Sequence, residues 1–228
     1  MAPRIDGPRL NPLSGQAKQL VILLHGYGAD GDDLIGLGRQ WQQLLPDAAF
    51  VAPNAPELLP GSPMGRQWFP LTFRDPHERW RGVNHAGPGL GAFLDAELER
   101  AGLPPGRLAL VGFSQGAMMA LHVGLRRPRM VAGIVAFSGL LVLEEGKGPE
   151  SLKEQARARP PVLLVHGDED DVIPVDALFL SLDALNAAEI PCQWHVSAGV
   201  GHGIDPGALT HGGLFLLQAF GLPFPKRQ

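Results

Sequence analysis

The chain has a single cysteine, Cys192, in 228 residues. No intramolecular disulfide can form, and nothing points to an oxidising compartment. No apolar run approaches membrane-span length, and Met1–Pro8 lack the apolar core of a signal peptide. The expectation is a cytoplasmic protein with no membrane span. No block of lysine or arginine is present, and 19 basic against 23 acidic residues leave a net charge of −4. That balance speaks against nucleic acid as a partner. There is no internal repeat, no low-complexity segment and no linker, so one domain over residues 1–228 is expected. A chain of this size buries about 70–75% of its unfolded surface, which makes a full core without staples. The acidic run Asp168-Glu-Asp-Asp171 has the spacing of no metal loop, and no histidine set accompanies it. Neither a metal nor an organic cofactor is expected.

Short runs rich in Val, Ile and Leu recur at Gln19–Leu24, Ala48–Val51, Leu108–Phe113, Val131–Phe137, Val162–Val165 and Gln193–Val196. Most are apolar throughout rather than alternating, the pattern of parallel strands covered on both faces. Between them, helical spacing predicts helices over Leu34–Leu45, Pro88–Ala101, Gln115–Arg126 and Val175–Ala188, and from Pro206 to Phe220. Asp30, Asp32 and Asp33 suit the N-terminus of the first of these, and Asp205-Pro206 reads as a cap followed by a first-turn proline. The alternation predicts an α/β fold with a mostly parallel central sheet, helices on both faces and no large cap domain. The segment from Pro53 to Gly87 breaks it. It is rich in proline and glycine, yet carries Trp68, Phe69, Phe73 and Trp80, and reads as a packed loop over a functional site.

Chemistry enters at Gly112-Phe113-Ser114-Gln115-Gly116, which lies directly between a strand and a helix. A protruding serine nucleophile needs a sharp, strained turn, and the two glycines let strand and helix crowd against it. A serine hydroxyl also needs a general base that is itself held by a carboxylate. The strand ending at Val165 runs into His166-Gly-Asp-Glu-Asp-Asp-Val-Ile-Pro174, and the one ending at Val196 into a glycine-rich loop bearing His202. Loops at the carboxyl ends of parallel strands share one edge of the sheet. The chain order is therefore Ser114, an aspartate near position 170, then His202. Upstream, Leu24-His25-Gly26-Tyr27-Gly28 forms a glycine-flanked turn. The backbone N–H groups of Tyr27 and Gln115 are the candidate oxyanion hole.

These motifs, with Phe137-Ser-Gly139 and Gly201-His202, resemble the α/β-hydrolase branch of small carboxylesterases, lysophospholipase-like enzymes and acyl-protein thioesterases. The resemblance spans about Val21 to Phe220, nearly the whole chain. It implies that the acid is Asp170, the first aspartate before the apolar pair Val172-Ile173. Asp171 stands where the family pattern usually has proline. The tryptophan-containing lid segment of the family resembles Trp68-Phe69-Pro70, with proline where aspartate is common. Substrate-facing walls are expected from Trp68, Phe69, Leu140 and Val200.

Most of the remaining chemistry-bearing residues have bland readings. His25 and His166 open tight turns, where a ring bonded to backbone is expected. His122 and His211 fall in helices and His195 in a strand, while His77 and His85 lie in the long segment. Cys192 reads as packing. The function expected is hydrolysis of carboxylic esters by a Ser-His-Asp triad through an acyl-enzyme. Acyl-protein thioesterase, lysophospholipase, perhydrolase or carbon–carbon hydrolase activity remains open, as does a non-catalytic ligand-binding protein on a hydrolase scaffold. The partner is a small-molecule ester, and a homodimer is compatible with the sequence.

Overall fold

The computed structural model describes residues 5–62, 64–72, 74, 75 and 77–225. Phe73 and the N-terminal Met1–Arg4 lie outside the described residues. Among the described residues, nine strands follow in chain order: β1 (Arg9–Leu10), β2 (Gln19–Leu24), β3 (Ala48–Val51), β4 (Glu57–Leu58), β5 (Arg66–Gln67), β6 (Leu108–Phe113), β7 (Gly133–Phe137), β8 (Val162–Gly167) and β9 (Cys192–Ser197). The helices are α1 (Gly31–Trp41), α2 (Glu78–Ala101), α3 (Gln115–Arg126), α4 (Ser151–Gln155), α5 (Asp176–Ala187) and α6 (Pro206–Ala219). Seven strands form one sheet in the order β1-β3-β2-β6-β7-β8-β9. All neighbours run parallel except β1, which pairs antiparallel with β3. β4 and β5 form a separate small hairpin.

The continuous apolar strands follow from burial on both faces. Along β2, Leu20, Ile22 and Leu24 join one core cluster with Leu90 and Leu94 of α2, Met118 of α3 and Leu185 of α5. Val21 and Leu23 point the other way, into a second cluster with Ile35 and Trp41 of α1 and Phe215 of α6. Each such buried side chain contributes roughly 1.5–3 kcal/mol. The aspartates at the start of α1 cap it. Asp30 accepts from the Asp32 and Asp33 N–H groups, and Asp33 returns a bond to the Asp30 N–H.

The long segment differs from expectation. It contains the β4–β5 hairpin, and α2 begins at Glu78 rather than at Pro88, which lies inside the helix. Gly82, Gly87 and Pro88 are poor helix formers, and tertiary packing overrides them. A Cβ on Gly82 would stand 2.3 Å from the Phe69 ring, so glycine lets that ring dock on the helix. Two residues earlier, Trp80 meets His122 of α3 edge-on at 5.8 Å and takes the Arg126 guanidinium over its face at 5.5 Å.

Candidate active site

β2 is flanked by β3 on one side and β6 on the other, so the chain reverses its direction of travel through the sheet between β2 and β6. Loops leaving the carboxyl ends diverge at such a switch point and open a crevice. Ser114 follows β6 there, with φ 52° and ψ −116°, a left-handed conformation that costs a non-glycine residue on the order of 1–3 kcal/mol. The packing enforces it. A Cβ on Gly112 would stand 2.3 Å from the Gly116 carbonyl oxygen, and one on Gly116 1.9 Å from that of Leu24. Only glycine fits either position. The Ser114 N–H is tied to the Phe137 carbonyl at 2.9 Å.

The loop after β8 carries the buried Asp170. Its Oδ1 accepts the Val172 and Ile173 N–H groups at 3.0 and 2.8 Å, and its Oδ2 lies 2.8 Å from His202 Nδ1. Burial alone would push this carboxyl up. The Ile173 N–H, His202 and the Val172 N–H more than offset that, and hold it below the usual carboxylate range. Asp171 is exposed. The loop bearing His202 is laced to the Asp170 loop. The Asp168 and Glu169 N–H groups donate to the Ser197 and Val200 carbonyls at 3.2 and 3.0 Å, and the Gly199 N–H donates to Asp168 Oδ1 at 2.7 Å. The His202 ring packs on Phe113, the neighbour of Ser114, with centroids 4.9 Å apart. With Nδ1 donating to Asp170, Nε2 is the nitrogen whose lone pair is left free to accept a proton.

The turn after β2 lies against the serine, because a Cβ on Gly26 would stand 3.3 Å from Ser114 Cβ. His25 sets that turn from below. Its Nδ1–H donates to the Gly26 carbonyl at 2.8 Å and its Nε2 accepts the Ala55 N–H at 2.9 Å. These partners define a neutral imidazole, and burial lowers its pKa further. The Gly28 N–H donates to the Arg66 carbonyl at 2.8 Å, and the Arg66 N–H to Ala29 at 3.1 Å, tying the β4–β5 hairpin to the turn. Gln115 is the first residue of α3, so its own N–H has no helical partner four residues back.

Trp68 and Phe69 are not placed as the expected pocket walls. They are 1% and 0% exposed and belong to the core. Trp68 donates its indole N–H to the His25 carbonyl at 2.9 Å and its backbone N–H to Gln115 Oε1 at 2.8 Å. Gln115 Nε2 donates to the Phe69 carbonyl at 2.8 Å. A buried indole needs an acceptor and finds it at His25, while the Trp68 backbone bonds Gln115, so this segment is tied both to the turn after β2 and to the start of α3. Leu140 is half-buried and lines an apolar groove of about 510 Å³ with Leu143, Val172, Ile173 and Leu180. Gly139, the residue before Leu140, lies against the elbow, since its Cβ would meet the Ser114 carbonyl at 3.0 Å, while Ser114 and His202 are not part of the groove lining. Val200 lies in the His202 loop, half-buried and outside the groove lining. The groove residues after Asp170 were legible only as part of a motif, not as walls.

His166 bonds backbone as expected, with Nε2 2.7 Å from the Ile173 carbonyl, but it also approaches Asp170. His195 stacks on His211 with centroids 4.1 Å apart, and His85 lies in α2. Among the described residues no group of three or more His, Cys, Asp or Glu side chains is arranged to hold a metal ion. Among them, no helix is long and apolar enough to cross a membrane.

A serine elbow at the switch point of this sheet defines an α/β-hydrolase. The model of the phospholipase/carboxylesterase family matches residues 7–216, and the chain belongs to that family. It is 30% identical over 189 residues to esterase YpfH of Escherichia coli (strain K12), covering 83% of this chain and 78% of that protein. It is 27% identical over 221 residues to an acyl-protein thioesterase 1 of Gibberella zeae, covering 92% and 94%. The crystal structure of esterase PE8 superposes with a TM-score of 0.89 at 46% identity, covering 95% of this chain and 99% of that one. The protein is an enzyme, a hydrolase of the esterase and acyl-protein thioesterase family.

Proposed function

We propose that the protein is a serine carboxylesterase in which Ser114, His202 and Asp170 form the triad. The observation that carries this reading is the 2.8 Å bond from His202 to Asp170 on the sheet edge that also bears the strained Ser114. Ser114 Oγ attacks the carbonyl carbon while its proton passes to His202 Nε2. Asp170 holds the imidazole tautomer and stabilises the imidazolium. The Tyr27 and Gln115 N–H groups receive the oxyanion. Collapse breaks the ester bond, His202 protonates the departing oxygen, and water repeats the sequence on the acyl-enzyme. None of these steps calls on a metal or an organic cofactor. Every group the mechanism needs comes from one chain, so a homodimer would add no residue to it. The lone Cys192 fits a cytoplasmic setting.

The apolar groove lined by Leu140, from the loop after β7, and by Val172 and Ile173, which follow Asp170, supports an acyl chain as the substrate part held in place. It also supports a second reading, hydrolysis of lysophospholipids or of acyl thioesters, the latter agreeing with the name of the Gibberella zeae relative. A panel of aryl esters, acyl thioesters and lysophospholipids matched in chain length tests the choice. Highest kcat/KM on the oxygen esters is the expected result, and a clear preference for thioesters or lysophospholipids favours the second reading.

A further inference from the structure

Two histidines reach the Asp170 carboxylate. His202 Nδ1 lies 2.8 Å from Oδ2, and His166 Nε2 lies 3.2 Å from the same oxygen. His166 Nε2 is also 2.7 Å from the Ile173 carbonyl oxygen. Its hydrogen bond goes to the Ile173 carbonyl, so Nε2 carries the proton, and Oδ2 of Asp170 lies beside that N–H at 3.2 Å. Oδ1 is filled by the Val172 and Ile173 N–H groups. The side chains of His166 and Asp170 are 1% and 0% exposed, so water does not replace either bond.

We propose that His166 is a positioning residue whose Nε2–H shares Oδ2 with His202, fixing the direction and the basicity of the bond that orients the base. The inference rests on the reading of Asp170 and His202 as acid and base. A carboxylate torsion is broad, and two backbone donors on one oxygen leave the plane free to rock. His166 removes that freedom from the other side. It lies on β8, paired in register with Val196 of β9, so its ring is referenced to the sheet rather than to a loop. Its second bond is to Ile173, whose N–H is already on Oδ1, so carboxylate, peptide and imidazole form one closed unit. Three further carboxylates lie on the Asp170 loop, and Arg79 and Asp176 line the groove with Ile173. The Asp168 carboxylate is taken by Gly199, and Glu169 and Asp171 are exposed. Two donors on one oxygen compete for its charge, so removing one strengthens the other. Loss of His166 should therefore make His202 more basic as well as less well aimed.

The test compares His166→Phe, which keeps a ring and loses the donor, with His166→Gln, which keeps an N–H near the Nε2 position. Wild type and Ser114→Ala are assayed beside them for kcat, KM, the kcat/KM pH profile on an aryl ester, and Tm. His166→Phe should lower kcat about tenfold or more with KM little changed, and move the acid limb to higher pH. His166→Gln should recover most of kcat and return the limb. A folded His166→Phe enzyme with the wild-type pH profile, or a His166→Gln variant no better than Phe, overturns the proposal. If Phe does not fold, His166→Asn, too short to reach Oδ2, takes its place with the same outcomes. Activity surviving in Ser114→Ala would instead indict the triad reading itself.

Discussion

The backbone N–H of Trp68 donates to Gln115 Oε1 across 2.8 Å, and Gln115 is the residue whose own N–H is proposed to face the oxyanion. A fully buried tryptophan is thereby a brace for the elbow rather than a surface for substrate. Its indole makes a matching bond to His25 at the start of the opposite turn.

Trp68→Ala should accordingly lower stability by roughly 3–5 kcal/mol, as for other large-to-small core changes. The acyl-length preference of the surviving folded enzyme should stay as in wild type. Chemical denaturation and a chain-length series on the variant check this. An altered preference with an unchanged denaturation midpoint would return Trp68 to the pocket wall.

Asp170→Asn should reduce kcat by on the order of 10²–10⁴-fold, because an amide presents the wrong partner to His202 Nδ1. Asp171→Asn should cost less than about tenfold, since that side chain is exposed. Steady-state kinetics on the pair decide the matter, and a reversed ranking would place the acid one position on.

Selectivity should respond to the groove. Leu140→Trp adds bulk to a cavity of about 510 Å³, so long acyl esters should lose about tenfold or more in kcat/KM while acetyl esters lose little. Equal losses on all chain lengths would separate the groove from substrate.

His122 gives an acid-stability signature. Burial, and secondarily Arg126, press its pKa from 6.5 down to about 3, and its Nδ1 has no hydrogen-bond partner. A folded value below the unfolded one means the neutral form is the one that folds. The contribution is whole above pH 6.5 and is lost as pH falls toward 3. The unfolded chain then takes up a proton that the folded one refuses, a slope of at most about 1.4 kcal/mol per pH unit. His122→Phe should be flatter than wild type between pH 6.5 and 4 in denaturant midpoints. His25, whose pKa burial also lowers, is present in both proteins and cancels from the difference. Parallel curves would contradict the assignment.

Much of the architecture was legible because its signals are local. β2 after Gln19, β3 and β6 are apolar throughout between polar breaks, and α3 is bounded by Ser114 and Pro128, so their limits could be read directly. β1, β4 and β5 are two residues each, too short for any periodicity. The first turns of α2 carry Gly82, Gly87 and Pro88, which read as breakers until Phe69 and α3 are packed against them. Likewise a tryptophan in a proline-rich segment looks the same in sequence whether it faces a pocket or the core. His166 was legible as a turn residue, but its approach to Asp170 depends on how far the loop curls back.

The most direct test is steady-state ester hydrolysis by Ser114→Ala. Alanine removes the hydroxyl and leaves Gly112 and Gly116 to hold the turn, so the variant should melt like wild type. The account predicts a loss of on the order of 10⁴-fold or more in kcat, with only the oxyanion donors and binding left to assist. A folded Ser114→Ala protein retaining a tenth of wild-type activity would contradict it.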